Sequence, residues 1–283
     1  MAKVVEPAES RLLPQVRDLW QTLSASPVTF PPPGSPPAVA VSPDSALCPP
    51  SWVGIVALGS SSAIVTAPDP ATAHTVRTAL STVPAHALTC PEALRAVLPA
   101  ADVLGPATLA YATEDTFRPV PDGGGVRRLP AGHAAVAALL RAAGRTDAEE
   151  SGLAEITSPA FVVRTDAKEP CAAYDPAVPD DAYAPNDAPG NSLDTPITAA
   201  AGYRRWPCGV AHLCVLTAPG RRGQGLARRV ASAATAHALA AGLLPQWRAR
   251  PPASRRVARV LGFREVGSQL SVRPAAGRAP GPP

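Results

Sequence analysis

An α/β fold is predicted for this chain, and three observations predict it. Apolar runs of strand length alternate with segments whose apolar residues recur at helical spacing. Two pairs of those runs are joined by turn residues, Gly59-Ser-Ser-Ser62 and Pro207-Cys208, as in hairpins. From Val215 to Arg229 an apolar run enters a glycine-rich turn and continues directly into an alanine-rich helix.

Taken in order, Leu12, Leu13, Val16, Leu19, Trp20 and Leu23 predict a helix from Pro7 to about Ser24. Pro31-Pro-Pro-Gly-Ser-Pro-Pro37 is a bridge that disfavours both helix and strand interior. Strands are expected at Trp52–Leu58 and Ala63–Thr66, helices at Pro70–Ser81 and Pro91–Leu98, and a strand near Ala107–Ala112. Residues 1–118 therefore read as an N-terminal α/β lobe, and with no chemical constellation in it the lobe is read as accessory packing. Pro119–Gly125 reads as a linker, flexible by its glycines. Beyond it, strand Val126–Leu129 precedes helix Ala131–Ala143, which carries Val136, Leu139 and Leu140 on one face and Gly144 after its end. A second helix is expected at Asp147–Ile156 with Asp147 as N-cap, then strand Phe161–Thr165. Lys168–Pro196, rich in proline, aspartate and glycine, reads as a mobile loop insertion. Strands Ile197–Trp206 and Gly209–Thr217 follow, and then helix Gly225–Ala241 with Leu226, Val230, Ala233, Ala234 and His237 on one face. Strand Leu243–Ala249, helix Ala253–Leu261 and strand Phe263–Val272 complete a second domain over 119–275, and 276–283 are expected to be a disordered tail.

Composition narrows the function. With 283 residues, one large or two smaller domains can each bury a core. A formal charge of +4 suits a polyanionic ligand such as a nucleotide but lacks the dense basic stripe of a nucleic-acid binder. Cys48, Cys90, Cys171, Cys208 and Cys214 are odd in number and never spaced C-x-x-C, so neither a disulfide framework nor a zinc site is expected and a reducing compartment fits. No leader-like apolar segment follows Met1, and Val53–Thr66 is too short and too broken by Gly59 and three serines to span a bilayer. A soluble cytoplasmic protein is expected.

The chemistry concentrates in the turn. A strand, glycines and a helix N-terminus in that order aim main-chain N–H groups and the positive end of a helix dipole at one point, which suits a phosphate. The Walker A sequence Gly-Lys-Ser/Thr is absent. A Rossmann fingerprint is absent too, because Arg228 stands where its third glycine belongs and Gln246-Trp247-Arg248 where its acidic residue would fall.

The spacing Arg222-x-x-Gly225-x-Ala227, with Pro219 three residues ahead, resembles the Gln/Arg-x-x-Gly-x-Gly/Ala fingerprint of the GNAT superfamily, the acetyl-CoA-dependent N-acetyltransferases. Ala253-Ser-Arg-Arg-Val-Ala-Arg-Val-Leu-Gly-Phe263 is similar to that family's later helix ending in Leu-Gly-Phe. The resemblance covers about residues 126–273. It implies a mixed, mostly antiparallel sheet flanked by helices, with the N-terminal lobe a decayed half of the same fold or an unrelated one. It also implies acetyl-CoA as co-substrate and an amine of a small molecule or peptide as acceptor. The main-chain amides of Arg222, Gly223, Gln224, Gly225, Leu226 and Ala227 would then hold the diphosphate, while Leu216 and Thr217 pair with the pantetheine arm and polarise the thioester carbonyl. Arg228 and Arg229 either add charge there or simply face solvent.

The family's usual acid, a tyrosine four residues before the glycine of Leu-Gly-Phe, is Ala258 here, and an asparagine common seven residues earlier is Pro251. The remaining catalytic candidates each have a plainer alternative. His212 is a general base or a half-buried strand histidine. Glu155, with Glu149 and Glu150, either meets the amine or serves its helix. Ser254 is a proton relay or an N-cap. Cys214 is an acyl nucleophile or a small hydrophobe. At the level of function, the competitors to an N-acetyltransferase are a non-catalytic acyl-CoA-binding protein, favoured by Ala258 and Pro251, and a nucleic-acid binder using Arg255, Arg256 and Arg259.

Overall fold

The computed structural model describes residues 8–59, 62–121, 125–164 and 196–275. In the first part of the chain the elements are α1 (Ala8–Leu23), β1 (Ala38–Val41), β2 (Val53–Leu58), β3 (Ser62–Ala67), α2 (Pro70–Leu80), α3 (Pro91–Val97) and β4 (Ala100–Tyr111). In the second they are β5 (Val126–Leu129), α4 (Ala134–Ala143), α5 (Arg145–Ser151), β6 (Ala160–Arg164), β7 (Ile197–Trp206), β8 (Val210–Thr217), α6 (Leu226–Ala240), β9 (Leu244–Ala249), α7 (Pro252–Val260) and β10 (Arg264–Pro274). Two compact units divide them. One takes the residues up to 110 with 248–252 and those from 265 on; the other takes 111–247 and 253–264. The expected linker glycines at 123–125 fall mostly outside the described residues, as do the Lys168–Pro196 insertion up to residue 195 and the tail from 276.

In the first unit the strands lie in the order β1-β3-β2-β10-β4. The β2–β3 and β2–β10 pairs are antiparallel and β1–β3 is parallel. The expected hairpin is present, and β2 and β3 are buried along their whole length, which explains why they read as continuous apolar runs rather than alternating ones. Val53, Ile55 and Val65 pack with Val76 and Leu80 of α2, Leu94 of α3, and Leu270 and Val272 of β10. Sequence reasoning missed β1, which has three half-buried residues and the exposed Val41 directly after the proline bridge, too few for a periodic signal. β4 begins seven residues earlier than expected, because its outer half is exposed and contains Gly105 and Pro106, residues that normally interrupt a strand.

The second unit has the order β9-β8-β7-β6-β5, antiparallel except for the β8–β9 pair. Here the mostly antiparallel sheet flanked by helices is plain. One face carries Val162, Ala200, Cys214 and Leu216 against Val136 and Leu139 of α4 and Leu153 and Ile156 beyond α5. The other is covered by α6, whose buried residues Val230, Ala231, Ala234, Thr235 and Ala238 make a wider stripe than expected. Asp147 does not cap α5. Gly144, at φ +84°, closes α4 and opens α5 at Arg145, so Asp147 falls inside the first turn. Gly152, in the left-handed region, then stops α5 at Ser151, and a short 3-10 turn follows at Leu153–Glu155. A Cβ on Gly152 would lie 3.1 Å from Cys214 Sγ, so the helix ends where it must approach β8 closely.

Under α6 the hydroxyl of Tyr203 lies 3.0 Å from His237 Nδ1, both residues being buried. Burial, with Arg128 and Arg205 nearby, pushes the His237 pKa down from the usual 6.5 to about 4. A histidine held neutral in the folded state while the unfolded chain takes up a proton costs nothing above about pH 6.5. Its penalty grows as the pH falls toward 4 and then levels, at about 3 kcal/mol in all. Urea unfolding followed from pH 7 to pH 4 is expected to show that loss in the wild type, and a profile flatter by about that amount in His237→Phe. Parallel profiles would contradict the assignment.

Candidate active site

Strand β8 carries the site. Its antiparallel pairing with β7 runs its full length, from Val210 opposite Trp206 to Thr217 opposite Ala199. Its parallel register with β9 covers only Val210, Ala211 and His212, ending where His212 meets Gln246. From Leu213 onward β7 is the one strand neighbour of β8 among the described residues. The strand closes with Ala218 N–H donating to Thr198 O at 2.8 Å, and Pro219–Arg221 forms a 3-10 turn.

Residues 221–225 are exposed. Gly223 and Gly225 have φ of +81° and +76°, the left-handed region that a side chain disfavours, and a Cβ on either would meet nothing within 4 Å. No side chain caps α6, and the Arg229 N–H donates to Gly225 O at 3.3 Å. A helix opened in this way leaves first-turn amides without intrahelical acceptors, in the positive end of its dipole. The turn is braced from one side by the Arg222 guanidinium, which pairs with Asp147 of α5 at 2.5 Å. Thr217 Oγ1, just ahead of the turn, is buried without a hydrogen-bond partner among the described residues. Thus the structure brings Leu216, Thr217, Arg222, Gly223, Gln224, Gly225, Leu226 and Ala227 together at one end of β8, a surface suited to an anion.

The candidate bases lie at the other end of β8, five residues back from Thr217, which is about 16 Å of strand. His212 is half-buried, with Nδ1 2.5 Å from Gln246 Oε1 and its ring stacked on Trp206 at 4.3 Å between centroids. Glu155 reaches the same sheet face through an ion pair with Arg204, which stands opposite His212 on β7. Ser254 is elsewhere. It accepts a hydrogen bond from Trp247 Nε1 at 2.9 Å, and Trp247 points to the face opposite Gln246 by strand alternation. Neither N-cap nor neighbour of His212, Ser254 holds an indole. Cys214 is buried among Leu216 and Ala200, in a hydrophobe's setting. Glu149 pairs with Arg145 along exposed α5.

Gln246, Trp206 and Arg204 were not picked out by sequence reasoning. The one available signal was a glutamine inside the apolar run Leu244–Ala249, where it is fully buried. On α7 the inward stripe is Ala258 with Leu261 after the helix, and Val260 is 46% exposed. Ala258, in the family's tyrosine position, is therefore a buried methyl group. A cavity of about 230 Å³ lined by Arg118, Arg259, Gly262 and Arg264 lies at the C-terminal end of α7 and includes none of the candidate catalytic or cofactor-binding residues.

Comparison with known proteins agrees with the motifs. Residues 208–268 match the family model of GNAT acetyltransferases, within the part of the chain where the resemblance was read. None of the curated proteins matches the chain in sequence. Among solved structures, a GNAT-family protein from Novosphingobium aromaticivorans aligns at 20% identity over 62% of this chain and 67% of its own, with a TM-score of 0.41. A GNAT acetyltransferase from Colwellia psychrerythraea aligns at 16% identity and a TM-score of 0.40 over 62% of this chain, which spans only 59% of that protein. A GCN5-related N-acetyltransferase-like protein from Streptococcus suis aligns at 12% identity over 92% of this chain and 98% of its own, with a TM-score of 0.42.

Proposed function

We propose that this chain, with its GNAT acetyltransferase segment at residues 208–268, is an acetyl-CoA-dependent N-acetyltransferase acting on an amine of a small molecule or peptide in the cytoplasm. The observation that carries this reading is the exposed, uncapped turn at 222–227 with its two left-handed glycines, placed at the end of β8. The amides of residues 222–227 would hold the diphosphate, and the main chain of Leu216 and Thr217 the arm that follows it, with Thr217 Oγ1 offering a buried hydrogen-bonding group on that path. When bound, acetyl-CoA supplies an activated acyl group. His212, at the point where β8 and β9 cease to pair, would remove the proton that keeps the acceptor amine unreactive. Glu155 shares its charge with Arg204 and would orient a cationic acceptor rather than deprotonate it. Buried Ala258 gives the leaving thiolate no acid, so it would depart as the anion. None of the described helices is long and apolar enough to cross a membrane.

Ala258 also favours a second reading, a protein that kept the acyl-CoA turn and lost the chemistry. Thiol release from acetyl-CoA, measured over amino acids, polyamines, aminoglycosides and peptide N-termini, separates the two. Transfer to at least one amine class, at rates at least tenfold above hydrolysis, is the result expected. Binding with only basal hydrolysis across the panel would establish the non-catalytic reading instead.

A further inference from the structure

We propose that Gln246 is a positioning residue for His212: its side-chain oxygen fixes the imidazole as the Nδ1–H tautomer and so makes Nε2 the nitrogen that takes the amine's proton. The inference rests on the reading of His212 as base and names the group that makes it one.

Four observations converge. Gln246 is fully buried on β9, in the last rung that β9 shares with β8. Its Oε1 faces His212 Nδ1, and an amide oxygen only accepts, so Nδ1 must carry the proton. Its Nε2 is buried with no hydrogen-bond partner among the described residues. An apolar side chain would fill the same space without that cost, so a buried amide satisfied at one end only calls for a reason. The fourth is Trp206, stacked on the ring at an interplanar angle of 16°. A hydrogen bond in the plane of the ring and a flat contact on its face together fix both its rotation and its tilt. The charged groups beside it are Arg204 on β7, directly opposite, and Glu155, which is paired to Arg204 and offsets its charge. In a metal site or a catalytic triad the group on one ring nitrogen selects the work of the other, and the same logic applies to this neutral amide.

The test uses the full chain labelled with nitrogen-15. Long-range proton–nitrogen correlation spectra recorded above the imidazole's titration report the tautomer, and the His212 signals are identified by their loss in His212→Gln. The wild type is expected to show one tautomer, Nδ1–H. Gln246→Leu should release it into a mixture, and Gln246→Met, unbranched and as long, gives the same reading if the leucine variant does not fold. Gln246→Glu keeps an acceptor in place. It should retain the tautomer and raise the His212 midpoint by about 1–3 pH units, with the acid limb of the thiol-release profile moving by the same amount. An Nε2–H tautomer in the wild type, or a tautomer unchanged in the leucine and methionine variants, overturns the proposal. The spectra need neither acyl donor nor amine. A locked tautomer in a chain that releases no thiol therefore counts against acetyl transfer and supports the bond to Gln246, whereas a mixture in an active chain counts against Gln246 alone.

Discussion

Gly262→Ala is expected to destabilise the chain by on the order of 4 kcal/mol, enough to remove most of the margin of an ordinary domain. Gly262 follows α7 at φ +87°, and its N–H donates to Arg259 O at 3.0 Å while that of Phe263 donates to Ala258 O at 3.0 Å. This is a Schellman ending, in which glycine is preferred for its left-handed backbone. Here a second demand is added, since a Cβ would sit 1.8 Å from the carbonyl oxygen of Thr116, and the Arg118 N–H is bonded to Leu261 O at 2.9 Å. The chain from 116 to 118 cannot retreat without losing that bond. Gly242 supplies the control. It ends α6 with the same pair of bonds, Gly242 to Leu239 O and Leu243 to Ala238 O, at φ +67°, but nothing lies within 4 Å of its would-be Cβ. Gly242→Ala should therefore cost only about 1–2 kcal/mol, the price of the left-handed backbone alone. Urea unfolding of the two variants beside the wild type measures the difference. Equal losses would show that the close approach of Thr116 contributes nothing.

That contrast also marks what a sequence can carry. Leu261-Gly262-Phe263 was legible as a helix end because glycine after an apolar period has one dominant meaning, yet the crossing segment that makes this glycine irreplaceable is 146 positions earlier (262 − 116). The hairpin of β7 and β8, the turn at 222–227 and the helix after it were legible for the same local reason: each is set by neighbours within a few residues. What was not legible depends on partners distant in sequence. The inward face of α7 is set by what packs on it, which buries Ala258 and leaves the more apolar Val260 exposed. α5 was read as running on to Ile156, because the approach to Cys214 that requires Gly152 cannot be seen from the helix itself. Gln246 gained meaning only when strand register placed it beside His212. Similarly, β10 joins β2 in the first unit, a pairing that no local pattern announces.

Gly225→Trp is expected to abolish stabilisation by acetyl-CoA. The position has φ +76° and open space beyond it, so the substitution costs backbone strain of about 1–2 kcal/mol without a steric clash. An indole at the N-terminus of α6 would, however, lie across the amides that the proposed diphosphate needs. Gly34→Trp is the matched control: φ +81°, equally open, and far along the chain from the turn. A ligand selective for the folded state, supplied at a hundred times its dissociation constant, stabilises by about 2.7 kcal/mol. The wild type and Gly34→Trp should gain this and Gly225→Trp should gain none.

The melting temperature of the three proteins with and without acetyl-CoA is the most direct measurement of whether residues 222–227 cradle a diphosphate. An upward shift in the wild type and Gly34→Trp, with none in Gly225→Trp, is the result this account predicts. A wild type indifferent to acetyl-CoA, or a Gly225→Trp protein that shifts as far as the wild type, would contradict it.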